Sequence, residues 1–163
     1  MEFKAQLLQQ SARVDWILEE YLPEESGHQK TIFEAMNYSV RAGGKRLRPI
    51  LMEETYRLCG GEGKEIEPFM AAIEMIHTSS LVHDDLPAMD GDEYRRGKKT
   101  TWVVYGEDMG ILAGDGLIHL MIEMSSCQAL LVEDVDDIYV YGCIKDSETG
   151  EVLYEHTISA ASH

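Results

Sequence analysis

Cysteine is scarce in this chain: the 163 residues include three, at positions 59, 127 and 143. Three scattered cysteines cannot form the paired disulfide framework that holds small secreted domains together, and their spacing does not match a zinc site. Such sparse cysteine is typical of a reducing compartment. We therefore predict a cytoplasmic protein.

Basic residues and long apolar runs are also few. The 14 lysines and arginines face 30 aspartates and glutamates, so the formal net charge is -16. This excess disfavours nucleic acid as a partner. No apolar run approaches the roughly 20 residues of a membrane-spanning helix, and the N-terminus lacks a signal-peptide pattern. We expect no nucleic-acid partner and no membrane span.

Common nucleotide-binding and hydrolase signatures are missing. The chain has no Gly-x-Gly-x-x-Gly fingerprint, and the glycine pair at 43–44 lacks the spacing of a phosphate-binding P-loop. No Ser-His-Asp arrangement can be identified either. Any chemistry must therefore come from other residue combinations.

Hydrophobic periodicity predicts a mainly α-helical protein. Apolar residues recur at helical spacing in segments that glycine or proline interrupts. The predicted helices cover residues 3–21, 28–41, 45–58, 68–85 and about 109–131. From about residue 132 the pattern changes: β-branched and aromatic residues at 137–145 and 151–158 flank turn-forming residues at 146–150. This pattern predicts a C-terminal β-hairpin.

Acidic residues are concentrated where the fourth predicted helix ends. Asp84 and Asp85 close that helix, and Asp90 follows Pro87, which breaks it and would let Asp90 turn back toward the pair. Carboxylate oxygens suit Mg²⁺, which often bridges a few carboxylates to substrate phosphates. We predict a magnesium site on the three aspartates; the alternative is a solvated acidic helix end.

Two basic clusters accompany these aspartates: Lys45, Arg46 and Arg48, then Arg95 and Arg96. Arginine can bind phosphate oxygens in pairs, and a helix N-terminus after the first cluster adds N–H groups and a favourable dipole. His77 is a further candidate donor, with a hydrogen-bonded histidine near the core as the alternative. These groups indicate two phosphate-bearing ligands; the alternative for each cluster is a solvated surface.

Four motifs, in order and spacing, resemble the trans-isoprenyl diphosphate synthases, the family of farnesyl and geranylgeranyl diphosphate synthases. They are Gly-Gly-Lys-Arg-Leu-Arg-Pro at 43–49, His-Thr-Ser-Ser-Leu-Val-His-Asp-Asp-Leu-Pro-Ala-Met-Asp at 77–90, Arg-Arg-Gly at 95–97 and Leu-Ala-Gly-Asp at 112–115. The resemblance covers about residues 1–124, and residues 125–163 have no counterpart in it. It implies a partial isoprenoid-synthase helical bundle followed by a separate tail.

The resemblance also implies an activity: Mg²⁺-dependent condensation of isopentenyl diphosphate with an allylic diphosphate, to a farnesyl or geranylgeranyl product. The aspartate-rich motif that holds the allylic diphosphate through Mg²⁺ corresponds to Asp84, Asp85 and Asp90. Arg95 corresponds to an arginine that binds the same diphosphate. The isopentenyl diphosphate site corresponds to Lys45, Arg48, His77 and Arg96.

Two positions depart from the family pattern. Many short-chain relatives carry a bulky cavity-floor residue five places before the first aspartate, where this chain has Ser79. A serine implies a deeper cavity and a product longer than farnesyl; the alternative is that another helix supplies the floor. Trp102 stands where the family commonly has a histidine.

Other family features are missing: the second aspartate-rich motif and the downstream Lys-Thr and Phe-Gln pairs. We interpret the acidic run at 133–137 as a solvated turn rather than a substitute. The resemblance therefore predicts a truncated enzyme, or one part of an assembly as a homodimer or with a complementing partner chain. The alternatives are a non-catalytic diphosphate-binding or interaction module and a purely structural helical fragment.

Overall fold

The computed structural model describes residues 3–130, 141–145 and 152–156, with side chains for residues 3–124. Contacts within the chain divide it near residue 122 into two compact units. The described residues are mainly α-helical, which confirms the predicted fold class.

Six helices are present in the described part of the chain: α1 Phe3–Tyr21, α2 Lys30–Val40, α3 Leu47–Leu58, α4 Glu67–Asp84, α5 Thr101–Tyr105 and α6 Glu107–Leu130. Five of them confirm the predicted helices, with ends shifted by at most a few residues. The periodicity did not predict α5, because five residues are too few to show a helical repeat.

Each of the two units contains a short antiparallel hairpin. In the first unit, β1 Tyr94–Arg95 pairs with β2 Lys98–Lys99. Arg96 and Gly97 connect them with φ of 54° and 80°, as a tight hairpin turn with two left-handed residues requires. In the second unit, β3 Tyr141–Lys145 pairs with β4 Val152–His156, which confirms the predicted C-terminal hairpin.

Helix α4 is central to the first unit and packs against α1, α2 and α3. Its inner face is apolar and almost fully buried, with Met70 and Met75 at 0% exposure. Arg13 of α1 fastens the helices further, because its guanidinium lies 2.6 Å from Glu53 of α3 and 2.8 Å from Glu67 of α4. This packing fixes the direction in which α4 carries its polar C-terminal end.

Several large apolar side chains remain exposed on the outer faces of these helices: Leu47, Leu51, Leu58, Phe69, Ile76, Ile111 and Leu112. Exposed apolar side chains are expected of a partial helical bundle. No helix in the described ranges combines the length and hydropathy needed to cross a bilayer.

Candidate diphosphate-binding site

A basic pocket of about 510 Å³ opens where the loop before α3 meets the middle of α4. All four residues predicted to hold isopentenyl diphosphate line it: Lys45, Arg48, His77 and Arg96. They come from the loop before α3, from α3 itself, from α4 and from the turn between β1 and β2. The structure therefore brings together residues as far apart in the sequence as Lys45 and Arg96.

Gly44 permits Arg96 to reach this pocket. Its φ of 151° lies in a region that side chains rarely adopt, and a Cβ there would lie 2.5 Å from Nη1 of Arg96. Any larger residue at position 44 would thus displace the guanidinium. Gly44, the second glycine of the first motif, therefore has a packing reason beyond helix termination.

Arg46 also lines the pocket, but it is almost fully buried, with 3% exposure and a left-handed φ of 49°. Its Nε donates to Asp15 at 2.8 Å, its Nη1 to Glu74 at 2.8 Å and its Nη2 to the Val40 carbonyl at 2.7 Å. These bonds secure the loop to α1, α2 and α4. Arg46 was grouped with the phosphate-binding cations from sequence; its observed contacts make it an anchor instead.

Basic side chains lie close together in this pocket, with the buried Glu74 as an acidic neighbour. Burial, and then the neighbouring Arg48, lower the pKa of His77. Burial, and then the charge of Arg46, lower the pKa of Arg96. The His77 ring makes no hydrogen bond with another described residue. Among the described residues, the alternative of a hydrogen-bonded core histidine is therefore not observed. A bound anion would relieve this crowding of positive charge.

The aspartates lie at the C-terminal end of α4. The Asp90 N–H donates to the Asp84 carbonyl at 2.9 Å, so the chain does turn back after Pro87. Asp85 is 4% exposed and its carboxylate is held by Arg95, with Nε at 2.8 and 3.0 Å from the two oxygens. The hydrogen bond to Asp85 is the main cause of the raised pKa of Arg95.

The remaining carboxylates suit a magnesium ion. Within the described residues, no three acidic, histidine or cysteine side chains converge as a ready-made metal site. The Asp84 and Asp90 carboxylates, however, make no hydrogen bond or ion pair to any described residue. Mg²⁺ commonly takes one or two carboxylates and completes its shell with water and phosphate oxygens, so these two donors fit it. The full three-aspartate site stays a prediction.

Contacts between α4 and α6 were missed from sequence. His83 Nε2 lies 3.2 Å from the Ile111 carbonyl and 3.7 Å from an Asp115 oxygen. A Cβ on Gly114 would overlap the His83 imidazole. The sequence signal that could have predicted these contacts is the fourth motif, Leu-Ala-Gly-Asp. Its glycine and aspartate contact His83, the residue before Asp84.

Trp102 and Ser79, the two residues that depart from the family pattern, occupy different environments. Trp102 Nε1 donates to the Asp92 carbonyl at 2.9 Å, and Thr100 Oγ1 donates to the same oxygen at 2.8 Å. Trp102 thus fastens the loop that follows Asp90. Ser79 is 1% exposed and lies inside the packed bundle, so its role at the floor of a cavity stays a prediction.

Comparison with known proteins identifies the family. A family model described as polyprenyl synthetase matches residues 29–153, most of the chain. The chain belongs to this family. The match extends beyond residue 124, where we predicted that the family-like helices end and a separate tail begins. That domain boundary stays a prediction.

Individual relatives agree with this family. A geranylgeranyl diphosphate synthase of Cyanophora paradoxa is 51% identical over 63% of this chain and 34% of its own length. A farnesyl diphosphate synthase of Geobacillus stearothermophilus is 45% identical over 80% of this chain and 41% of its own. A geranyltransferase crystal structure from Legionella pneumophila superposes with a TM-score of 0.73 at 35% identity, over 81% of this chain and 46% of that one. The chain therefore spans less than half the length of these relatives.

Proposed function

We propose that this polyprenyl synthetase chain acts in prenyl transfer, the Mg²⁺-dependent condensation of isopentenyl diphosphate with an allylic diphosphate to a farnesyl or geranylgeranyl product. One observation supports this most: α4 contributes to the basic pocket and ends in the aspartates, so it joins two chemically different clusters. His77 lies in the basic pocket, and Asp84 lies two turns later, or about 10 Å along the helix axis. Two diphosphates held at these sites would be neighbours.

Each site has a separate task in this proposal. The pocket cations Lys45, Arg48, His77 and Arg96 bind the diphosphate of isopentenyl diphosphate and orient its double bond. Asp84, Asp85 and Asp90 would hold Mg²⁺, which supplies positive charge to the departing diphosphate when bound. Arg95, turned away from Asp85, would donate to that same diphosphate. The allylic C–O bond breaks with its electron pair on the diphosphate, the double bond attacks the resulting cation, and a proton is lost.

The exposed apolar side chains of α4 bear on the partners. Phe69 and Ile76 are 41% and 44% exposed. In the proposed enzyme, a second copy of the chain or a complementing partner chain covers them, in the cytoplasm.

Product formation tests the proposal. The purified chain is incubated with Mg²⁺, radiolabelled isopentenyl diphosphate and an allylic primer, and prenyl product is extracted. We expect extractable label that Asp84→Asn abolishes and Glu93→Gln preserves, since Glu93 lies in the same acidic loop. Mg²⁺-dependent diphosphate binding without product would instead favour the non-catalytic binding module. Neither product nor binding would favour the structural fragment.

A further inference from the structure

The turn between β1 and β2 carries Arg96 to the basic pocket. The Arg96 guanidinium makes no hydrogen bond or ion pair to the residues whose side chains the structure describes. Arg95, one position earlier, is by contrast held directly by the Asp85 carboxylate. The position of Arg96 therefore depends on the backbone of the hairpin rather than on a partner for its side chain.

This hairpin is too small to keep its conformation without support. Each strand has two residues, and both residues of the second strand, Lys98–Lys99, are exposed. A two-stranded hairpin without a hydrophobic face is at best marginally stable in water. Arg96 also has a left-handed φ of 54°, which is uncommon for a residue other than glycine. Contacts with neighbouring elements must therefore fix the turn.

Helix α2 provides such contacts. The Tyr38 hydroxyl of α2 donates to the Lys99 carbonyl at 2.7 Å. In the opposite direction, Lys98 Nζ donates to the carbonyl of Arg41, the residue that follows α2, at 3.0 Å. The Tyr38 ring packs edge to face against Tyr105 of α5, with the ring centroids 5.5 Å apart, which fixes the direction of its hydroxyl. Both hydrogen bonds fasten β2, the strand that directly follows the turn, to α2.

We propose that Tyr38 is a positioning residue for the isopentenyl diphosphate site, because its hydroxyl holds β2 so that the turn presents Arg96 to the basic pocket. Tyr38 itself does not line that pocket. Arg95 depends less on this support, since Asp85 holds its side chain. Loss of the Tyr38 hydrogen bond therefore weakens the basic pocket and spares the aspartate site. This inference rests on the proposed role of the basic pocket.

Calorimetry of the full chain with inorganic pyrophosphate, in EDTA and in Mg²⁺, tests the role of Tyr38. Tyr38→Phe keeps the ring against Tyr105 and removes only the hydroxyl. We expect binding in EDTA to weaken by about three- to tenfold, as for one lost hydrogen bond, and the additional Mg²⁺-dependent binding to change by less than about twofold. Tyr105→Phe is the matched control and should change neither, since the Tyr105 hydroxyl makes no hydrogen bond to a described residue.

A double-mutant cycle distinguishes positioning from a general structural role. In an Arg96→Gln background, Tyr38→Phe should have little further effect on binding in EDTA, because the side chain that it positions is absent. Lys98 provides a second variant pair. Lys98→Met should weaken binding in EDTA, and Lys98→Arg should restore it, because arginine can still donate to the Arg41 carbonyl.

Two outcomes would overturn the inference and leave the proposed function intact. The first is unchanged binding in EDTA for Tyr38→Phe. The second is a general structural effect, seen as equal weakening of the EDTA and Mg²⁺-dependent binding or as the same loss in the Arg96→Gln background. Absence of pyrophosphate binding by the parent chain in EDTA would refute the proposed role of the basic pocket as well.

Discussion

Arg95 holds the carboxylate of Asp85 with two nitrogens, Nε at 2.8 Å and Nη2 at 2.6 Å from the same oxygen. The pair joins β1 to the end of α4, and both residues belong to the predicted allylic diphosphate site. Without ligand, each neutralises the other. In the proposed site, Asp84 and Asp90 would then be the first carboxylates available to a metal ion.

Breaking this pair should destabilise the protein. Arg95→Gln leaves the Asp85 carboxylate buried without its cation, so we expect the free energy of unfolding to fall by about 1–3 kcal/mol in urea denaturation. The double variant Arg95→Gln/Asp85→Asn should recover most of that loss. Arg96→Gln is the neighbouring control and should change stability by less than about 0.5 kcal/mol while weakening pyrophosphate binding. Equal destabilisation by both arginine variants would contradict the conclusion that Arg95 stabilises the fold through Asp85.

Substitutions of the two arginines of the first motif, Arg46 and Arg48, should separate an effect on stability from an effect on binding. Arg46→Met removes the partner of the buried Glu74 carboxylate, and we expect a loss of about 3–5 kcal/mol in the free energy of unfolding. Arg48→Met should leave stability nearly unchanged, because Arg48 is exposed and makes no hydrogen bond or ion pair within the described residues. It should instead weaken pyrophosphate binding measured in EDTA. A stable Arg46→Met protein would show that the buried ion pair is not an anchor.

The contact between His83 and Gly114 can be measured with a double-mutant cycle. Alanine normally stabilises a helix interior by about 1 kcal/mol relative to glycine. In the parent chain, Gly114→Ala should lose that gain because the new methyl group displaces the imidazole from Ile111. In a His83→Ala background, the same change should stabilise by about 1 kcal/mol. Equal effects in both backgrounds would rule out the contact.

His77 should make stability depend on pH. Its pKa is lowered in the folded chain, so between that value and the usual value near 6.5 the unfolded chain binds more protons. The contribution of neutral His77 is therefore complete above about pH 6.5 and is lost as the pH falls through the folded-state pKa. Urea denaturation from about pH 7.5 to 5 should show a smaller loss of stability for His77→Gln than for the parent. His28→Gln, an exposed control, should follow the parent.

Much of the fold was predictable because the helices carry clear periodicity. The turn after Pro87 was also predictable, since proline cannot continue the helix hydrogen bonds. The hairpin around Arg96 was not, because two-residue strands of charged side chains carry no alternating apolar pattern.

For the site, the resemblance predicted one binding site for Lys45, Arg48, His77 and Arg96, and the structure places all four residues around one pocket. The clustering of charge alone did not distinguish Arg46 from Arg48, since only the folded loop turns one guanidinium inward and the other outward; the resemblance assigned only Arg48 to the diphosphate site. The sequence also did not reveal the contact between His83 and Gly114, which depends on the packing of α4 against α6.

Calorimetry with inorganic pyrophosphate, in Mg²⁺ and then in EDTA, tests most directly the claim that α4 borders two distinct anion sites. We predict two binding events in Mg²⁺ and one in EDTA. Asp84→Asn should remove only the Mg²⁺-dependent event, Arg48→Gln should weaken only the event that persists in EDTA, and Glu93→Gln should preserve both. A single event that is identical in the two conditions and insensitive to Asp84→Asn would contradict the account.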